Sequence, residues 1–324
     1  MSPLLRARTC PRTPKNRLIA SFADANGCFA HHQARVIRHG VNPRLSFFMH
    51  RFYIAPDDWN PDALALSEAE AHHARDVLRL KQGDKVVVFN GRGREVTAEI
   101  VDPGRREIPL RKLSESDTPP LRCQIALAQA IPKGKNMDLI VQKAVEIGAS
   151  EIFPLISERT IVDLDRAEAE QKQTKWQTVA IEAAKQCGQN WLPQVHRPQK
   201  LKTFFEQGAA APRPESGSDP SRATRKSPPL DFDLRLIGSL QPGAMHLKRI
   251  LTDYCGEHRL RQPSRTEQLP ERVLMLIGPE GDFTPAEIAL ARTNGCLPIT
   301  LGPIVLRVET AAIYCLSVLS YELL

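Results

Sequence analysis

Val273-Leu274-Met275-Leu276-Ile277-Gly278-Pro279-Glu280-Gly281-Asp282-Phe283-Thr284-Pro285-Ala286-Glu287 packs a strand, a loop and a helix start into one short stretch. Val273 to Ile277 are apolar without alternation, the pattern of a strand buried on both faces. Thr284 suits an N-cap, Pro285 the first helical position, and Glu287 completes a capping box, so a helix begins where the loop ends. The loop glycines let backbone amides come close to a ligand. The same grammar returns in Ile299-Thr300-Leu301, followed by Gly302-Pro303-Ile304-Val305-Leu306-Arg307-Val308-Glu309-Thr310 and an apolar closing helix from about Ala311. Open α/β sheets hold ligands at the carboxyl ends of their strands, so the two loops predict a pocket for a nucleoside-type ligand. Neither loop reads G-x-G-x-x-G or G-x-x-x-x-G-K-[ST], which removes the main support for a dinucleotide-dependent oxidoreductase or a P-loop. One strand-glycine-helix turn alone is more often plain connection. Two of them, with Arg307 and Glu309 isolated in an apolar run, point to a site; the competing reading of that pair is a structural ion pair.

Upstream, Cys123 to Gln129 reads as a buried strand, and Met137, Ile140, Val141, Ala144 and Val145 recur at helical spacing until Gly148. A strand over Glu151–Ile156 follows, then a helix with Trp176, Val179, Ala180, Ala183, Ala184 and Cys187 on one face, ending at Gly188. Strands at Leu234–Ile237 and Leu297–Leu301 complete an α/β domain over residues 119–324 with a mostly parallel sheet. Residues 208–229 and 256–272 read as surface insertions. Residues 49–118 carry mostly strand and turn signals and predict a small β-barrel. Within them, Ser67-Glu68-Ala69-Glu70 is a capping box for a helix from Glu68 to about Leu80. Lys85–Phe89, Asn90-Gly91 and Glu95–Ile100 read as a hairpin. Residues 1–48, Arg-rich and without apolar periodicity, are set apart as a disordered or mis-called N-terminal extension, with an organelle transit peptide as the competing reading.

The length of 324 residues suits two domains, and 42% hydrophobic residues excludes a disordered chain. The net charge of +7 lies wholly in residues 1–48, which hold eight basic side chains and one acid; the other 36 bases and 36 acids cancel. Global electrostatics therefore do not argue for a polyanion partner, although residues 71–112 hold ten bases against six acids. Seven scattered cysteines without a C-x-x-C pair fit thiols in a reducing cytosol, and argue against a disulfide scaffold or a zinc site. His72-His73 lacks a third ligand at metal spacing, so no metal is expected. The uncharged-like run at the end, Thr310–Tyr321, is too short to span lipid, and no membrane association is expected.

Read in order, Met49-His50-Arg51-Phe52-Tyr53, Val77-Leu78-Arg79, Lys133-Gly134 with Met137 and Lys143, Glu146 with Gly148, Pro154 with Ser157-Glu158-Arg159, Gln186, Pro193, Gly278-Pro279-Glu280-Gly281 and Leu306-Arg307-Val308-Glu309-Thr310-Ala311 resemble one family. It is the ribosomal small-subunit methyltransferase E family, the bacterial 16S rRNA uracil-N3 methyltransferases. The resemblance implies a PUA-like RNA-binding barrel followed by a SPOUT domain, an α/β trefoil knot that dimerises. It implies S-adenosylmethionine as cofactor, 16S rRNA of the small ribosomal subunit as partner, and a cytoplasmic homodimer. By position, Ile277, Gly278, Pro279, Glu280, Gly281, Leu301, Gly302, Ile304 and Leu306 would line the cofactor pocket. Arg51, Arg79, Lys133 and Arg159 would contact RNA phosphate. Arg307 would stabilise the developing uridine anion, with Glu309 orienting it. The chain departs from the family pattern at Asp282, Gln189 and Ile304. Asp282 and Gln189 motivate an alternative, a catalytically weakened RNA-binding or ribosome-assembly factor of the same fold.

Overall fold

Apart from the unbroken run Val86–Phe89, apolar residues tend to alternate in the first sheet, whereas unbroken apolar runs dominate the second. The computed structural model describes residues 49–104, 106–160, 164–209, 231–261 and 269–324, all within one compact unit. The first sheet joins β1 (Arg51–Tyr53), β2 (Ala65–Leu66), β3 (Lys85–Phe89), β4 (Arg94–Ile100) and β5 (Ile108–Asp117) in the order β1-β3-β4-β5-β2. It curls around Phe52, Leu66, Val86, Val88, Val96, Ala98, Ile100 and Ile108. The expected hairpin forms with Val88 opposite Val96. Its loop is longer than the Asn-Gly pair, since the Asn90 amide donates to the Arg94 carbonyl at 3.1 Å.

The expected helix from Glu68 to Leu80 is cut short. Helix α1 (Glu68–His72) passes into a π-helical turn over His73–Val77, and Arg79 adopts a left-handed φ of 56°. Ser67 makes no side-chain cap bond. Glu70 does not reach back to it because its carboxylate pairs with Lys185 Nζ at 2.5 Å, across to the second domain.

The second sheet has the order β11-β13-β10-β12-β6-β7-β8, with β9 also on β7, and its pairings are parallel. In chain order its elements are β6 (Gln124–Ala130), α2 (Asn136–Ile147), β7 (Ala149–Ile156), α3 (Arg166–Cys187), β8 (Gln194–Val195), β9 (Gln199–Lys200) and α4 (Leu201–Ala209). They continue with β10 (Leu234–Gly238), β11 (Met245–His246), α5 (Leu247–Arg261), β12 (Arg272–Ile277), α6 (Pro285–Thr293), β13 (Leu297–Thr300) and α7 (Val308–Leu323). Helices α2, α3, α5 and α7 share one core; α4 and α6 pack the opposite face. Strands covered on both faces explain the unbroken apolar runs. Gly148 and Gly188 stop α2 and α3 in left-handed conformations, as expected. A capping box of Asp165 and Glu168 starts α3, a signal the sequence reading passed over.

Residues 256–261 continue α5 and Arg272 opens β12, so the polar stretch read as an insertion is partly regular structure. Residues 262–268, and 210–229 of the other insertion, lie outside the described residues, as do residues 1–48.

Two connections leave this sheet at its carboxyl edge in opposite directions. The chain leaves β10 outward to β11, beyond β13, while the chain after β13 returns inward to α7, which packs on α2, β6 and β12. This is the α/β class with a parallel sheet that the sequence predicts. The barrel docks at the other edge: the Gly93 amide donates to the Asn190 carbonyl at 3.0 Å, and the Leu192 amide to the Gly91 carbonyl at 3.0 Å. There too Glu151 faces His196 Nε2 at 3.1 Å and Arg272 at 3.0 Å. Burial pushes the Glu151 carboxyl up, but His196 and Arg272 outweigh it and hold the group below the usual carboxylate range.

Candidate functional site: a cleft at the carboxyl edge

The loop from Gly278 to Phe283 is built first by local rules. Thr284 accepts from the Glu287 amide, and the Glu287 carboxylate returns to the Thr284 amide, so the predicted capping box starts α6. Space favours glycine at 278: a Cβ there would lie 3.2 Å from both Phe283 Cδ2 and the Phe283 amide nitrogen, which would have to give by a few tenths of an ångström. Beyond that the loop is tied outward. Glu280 Oε1 accepts from the Lys133 amide at 2.8 Å, and the Gly281 carbonyl accepts from the Arg159 guanidinium. Asp282 Oδ2 accepts from the Leu240 amide at 2.9 Å, and its Oδ1 from the Phe283 amide at 2.8 Å.

Asp282 stands at φ 62°, a conformation Asp tolerates better than most residues. Its departure from the family pattern is thus absorbed: the backbone accepts it, and two amides satisfy the carboxylate. Gln189 lies next to Gly188 at the opposite edge of the sheet, away from this loop.

The second loop, Leu301 to Arg307, faces the first. Gly302 has φ 121°, a region that only glycine occupies readily, and a Cβ there would meet nothing within 4 Å. Its backbone is therefore open to the space between the loops. That space is a cleft of about 450 Å³, within the range of small-molecule sites. Ile277, Gly278, Pro279 and Glu280 line it from one side; Leu301, Gly302, Ile304, Leu306, Arg307 and Glu309 line it from the other. The structure so brings together every predicted lining residue except Gly281, which turns to Arg159. The prediction missed Asn136, Ser239 and Leu240, which also line the cleft. They follow β6 and β10, and the strand-to-loop grammar used for β12 and β13 applies to those exits as well.

The expected pairing of Arg307 with Glu309 is not formed. Arg307 is the N-cap residue of α7 and exposed, and its guanidinium has no hydrogen-bond or ion-pair partner among the described residues. Glu309 accepts instead from Asn136 Nδ2 at 3.3 Å. An acid in the first turn of a helix is favoured by the dipole, so it needs no arginine to hold it.

The four predicted RNA-facing cations split into two places. Arg51 and Arg79 belong to the barrel edge, Lys133 and Arg159 to the rim of the cleft. Arg51 is corrected: it is largely buried, bonded to Glu95 and Asn190 at 2.6 Å each, and stacked over Phe89 at 5.0 Å. Such a guanidinium ties the barrel to the body through Glu95 and Asn190. Arg79 and Lys133 are exposed. Among the described residues no cluster could hold a metal ion, and no helix is long and apolar enough to cross a membrane.

Comparison with known proteins agrees with this geometry. The RNA methyltransferase domain family matches residues 119–214 and 233–320, and the RNA methyltransferase PUA domain family matches residues 66–113. A ribosomal RNA small subunit methyltransferase E from Synechocystis is 31% identical over 84% of this chain and 78% of its own length. A methyltransferase of Legionella pneumophila solved with bound S-adenosylmethionine is 32% identical, with a TM-score of 0.67 over 84% of this chain and 97% of that one. The ribosomal RNA small subunit methyltransferase E of Neisseria gonorrhoeae, also bound to S-adenosyl methionine, is 27% identical, with a TM-score of 0.64 over 84% of this chain and 97% of that one. A barrel ahead of a parallel sheet whose two carboxyl-edge loops frame one cleft, together with these matches, assigns the chain to the ribosomal RNA small subunit methyltransferase E family.

Proposed function

We propose that this chain transfers a methyl group from S-adenosylmethionine to N3 of one uridine in 16S rRNA. The observation that carries the reading is the chemistry of the cleft wall. Ile277, Leu301 and Leu306 offer apolar surface, and the backbone at Gly302 is open. Glu280, Asp282 and Glu309 set three carboxylates against one guanidinium, a balance suited to a ligand carrying sulfonium and ammonium charges. When bound, the cofactor supplies an electrophilic methyl group on a sulfonium. Ile277, Gly278, Pro279, Glu280, Leu301, Gly302, Ile304 and Leu306 would hold it. Arg307, unpaired at the rim, would stabilise negative charge on the uracil oxygens as N3 gives up its proton to solvent and takes the methyl, whose bond to sulfur breaks to leave a neutral thioether. Glu309 keeps the Asn136 amide at the cleft wall, in place of the orienting role first expected.

A base inside folded RNA must be splayed out to enter, with neighbouring phosphates held by exposed cations such as Arg79 and Lys133. The barrel and the cleft lie at opposite edges of one sheet, about 20 Å apart along a seven-residue strand. A cytoplasmic homodimer that sets one copy's barrel beside the other's cleft answers that separation. Leu240, Ile304 and Val305 at the rim, and Tyr314 and Tyr321 two turns apart on α7, are exposed apolar surface suited to such a contact.

Purified protein, labelled S-adenosylmethionine and small subunits lacking the modification test the reading. Label on uridine N3 of 16S rRNA is expected. No transfer, or transfer to another base, while a control enzyme methylates the same subunits, contradicts it.

A further inference from the structure

Arg159 was expected at an RNA phosphate, but its surroundings assign it another task. We infer that Arg159 is a positioning residue, which fixes the wall formed by the Gly278–Phe283 loop. The inference rests on reading the cleft as the cofactor site. Three features carry it. The guanidinium donates to the Gly281 carbonyl, and the Arg159 stem lies so close that a Cβ on Gly281 would stand 3.3 Å from Arg159 Cδ. The segment presenting Arg159 is itself fixed. Ser157, 4% exposed, takes part in a tight turn in which its amide donates to Thr160 Oγ1 at 3.1 Å and the Thr160 amide donates to its carbonyl at 3.0 Å. The Glu158 amide donates to Glu287 Oε1 at 2.9 Å, and Glu287, 6% exposed, is the glutamate of the capping box that starts α6.

Residues 157–160 are therefore a strap fastened at two points, to the loop at Gly281 and to the first turn of α6 at Glu287. Glu280, Gly281 and Asp282 in turn bond three different neighbouring loops, so loss of one anchor leaves an identifiable gap. The bond from Arg159 Nη1 to the Gly281 carbonyl keeps the guanidinium pointed along the wall.

The experiment compares Arg159→Ala and Arg159→Lys with the full chain in three measurements. These are amide hydrogen exchange at Asp282 and Phe283 without ligand, calorimetric affinity for S-adenosylmethionine, and the salt dependence of binding to a single-stranded 16S rRNA fragment. Arg159→Ala should speed exchange and weaken cofactor binding roughly tenfold, the effect of losing one charge-assisted hydrogen bond, with the salt slope unchanged. Arg159→Lys should restore part of both losses. Unchanged exchange overturns the inference, and so does a salt slope reduced by about 0.7, the mark of one lost phosphate contact. If the full chain binds no cofactor, the proposed function falls separately, while the exchange rates still decide the role of Arg159.

Discussion

The loops Gly278–Phe283 and Leu301–Arg307 close one cleft from two sides, yet they are held in different ways. In the first, Glu280, Gly281 and Asp282 are each bonded to a different neighbouring loop, and Phe283 is fully buried. In the second, Thr300 Oγ1 and Gly302 meet at 3.3 and 3.4 Å, while Ile304 and Val305 stand 74% and 70% exposed. Bonding density separates a fixed wall from a movable one. Local stability follows buried contacts and satisfied backbone, so the second loop is the one that adjusts when a ligand or a partner arrives. It also carries Arg307 at its end, so on the proposed reading the guanidinium that acts on the substrate sits on the adjustable side, while both loops line the cofactor cleft.

The largest effect should come from the adjustable side. Arg307→Ala is expected to lower kcat by about 10²–10³-fold, the usual consequence of removing one donor from a developing anion, and to leave S-adenosylmethionine affinity unchanged. Steady-state kinetics beside calorimetry checks this; parallel losses would move Arg307 into the binding wall. Next come the two glycines. Gly278→Ala should destabilise the protein by about 1–3 kcal/mol, because Phe283 would have to give way. Gly302→Ala adds a methyl to open space and carries only backbone strain, which a loosely bonded loop can relax, so denaturant midpoints should show the smaller shift there. Equal or reversed shifts would contradict the contrast between the loops.

Asp282→Ala should cost about 1–2 kcal/mol through two lost acceptors, and Asp282→Gly less, since glycine removes the strain of φ 62°. A thermal melt of each variant measures the difference. The smallest effect lies at the far edge of the sheet. The carboxyl of Glu151 is held low in the folded state, so its stabilisation is present above the unfolded carboxylate range and is lost as pH falls through the folded value. Glu151→Gln should remove about 1 kcal/mol of stability at neutral pH and flatten that acid limb, leaving cofactor affinity unchanged. A pH series of unfolding midpoints reads it directly.

Periodicity and punctuation made most of the fold legible. Apolar runs bounded by Gly148, Gly188 and the Thr284–Glu287 box marked strands and helices because those signals act over a few residues. Failures occurred where a long-range contact overrode a local one. Ser67 and Glu70 form a correct capping box on paper, yet Lys185, 115 positions downstream, takes the glutamate. The lining residues from β12 and β13 were legible as motif. Asn136 and Leu240 follow strand exits of the same grammar, but nothing local says that the exits of β6 and β10 open on the same cleft as those of β12 and β13. Arg51 and Arg159 looked alike as exposed cations in a motif; only the fold shows one buried against Phe89 and the other bound to a loop carbonyl.

A crystal structure of the chain soaked with S-adenosylmethionine tests the central claim most directly. The account predicts the ligand between Ile277–Glu280 and Leu301–Leu306, with the first loop unmoved and the second drawn closer. Ligand density elsewhere, or an empty cleft at saturating concentration, would contradict it.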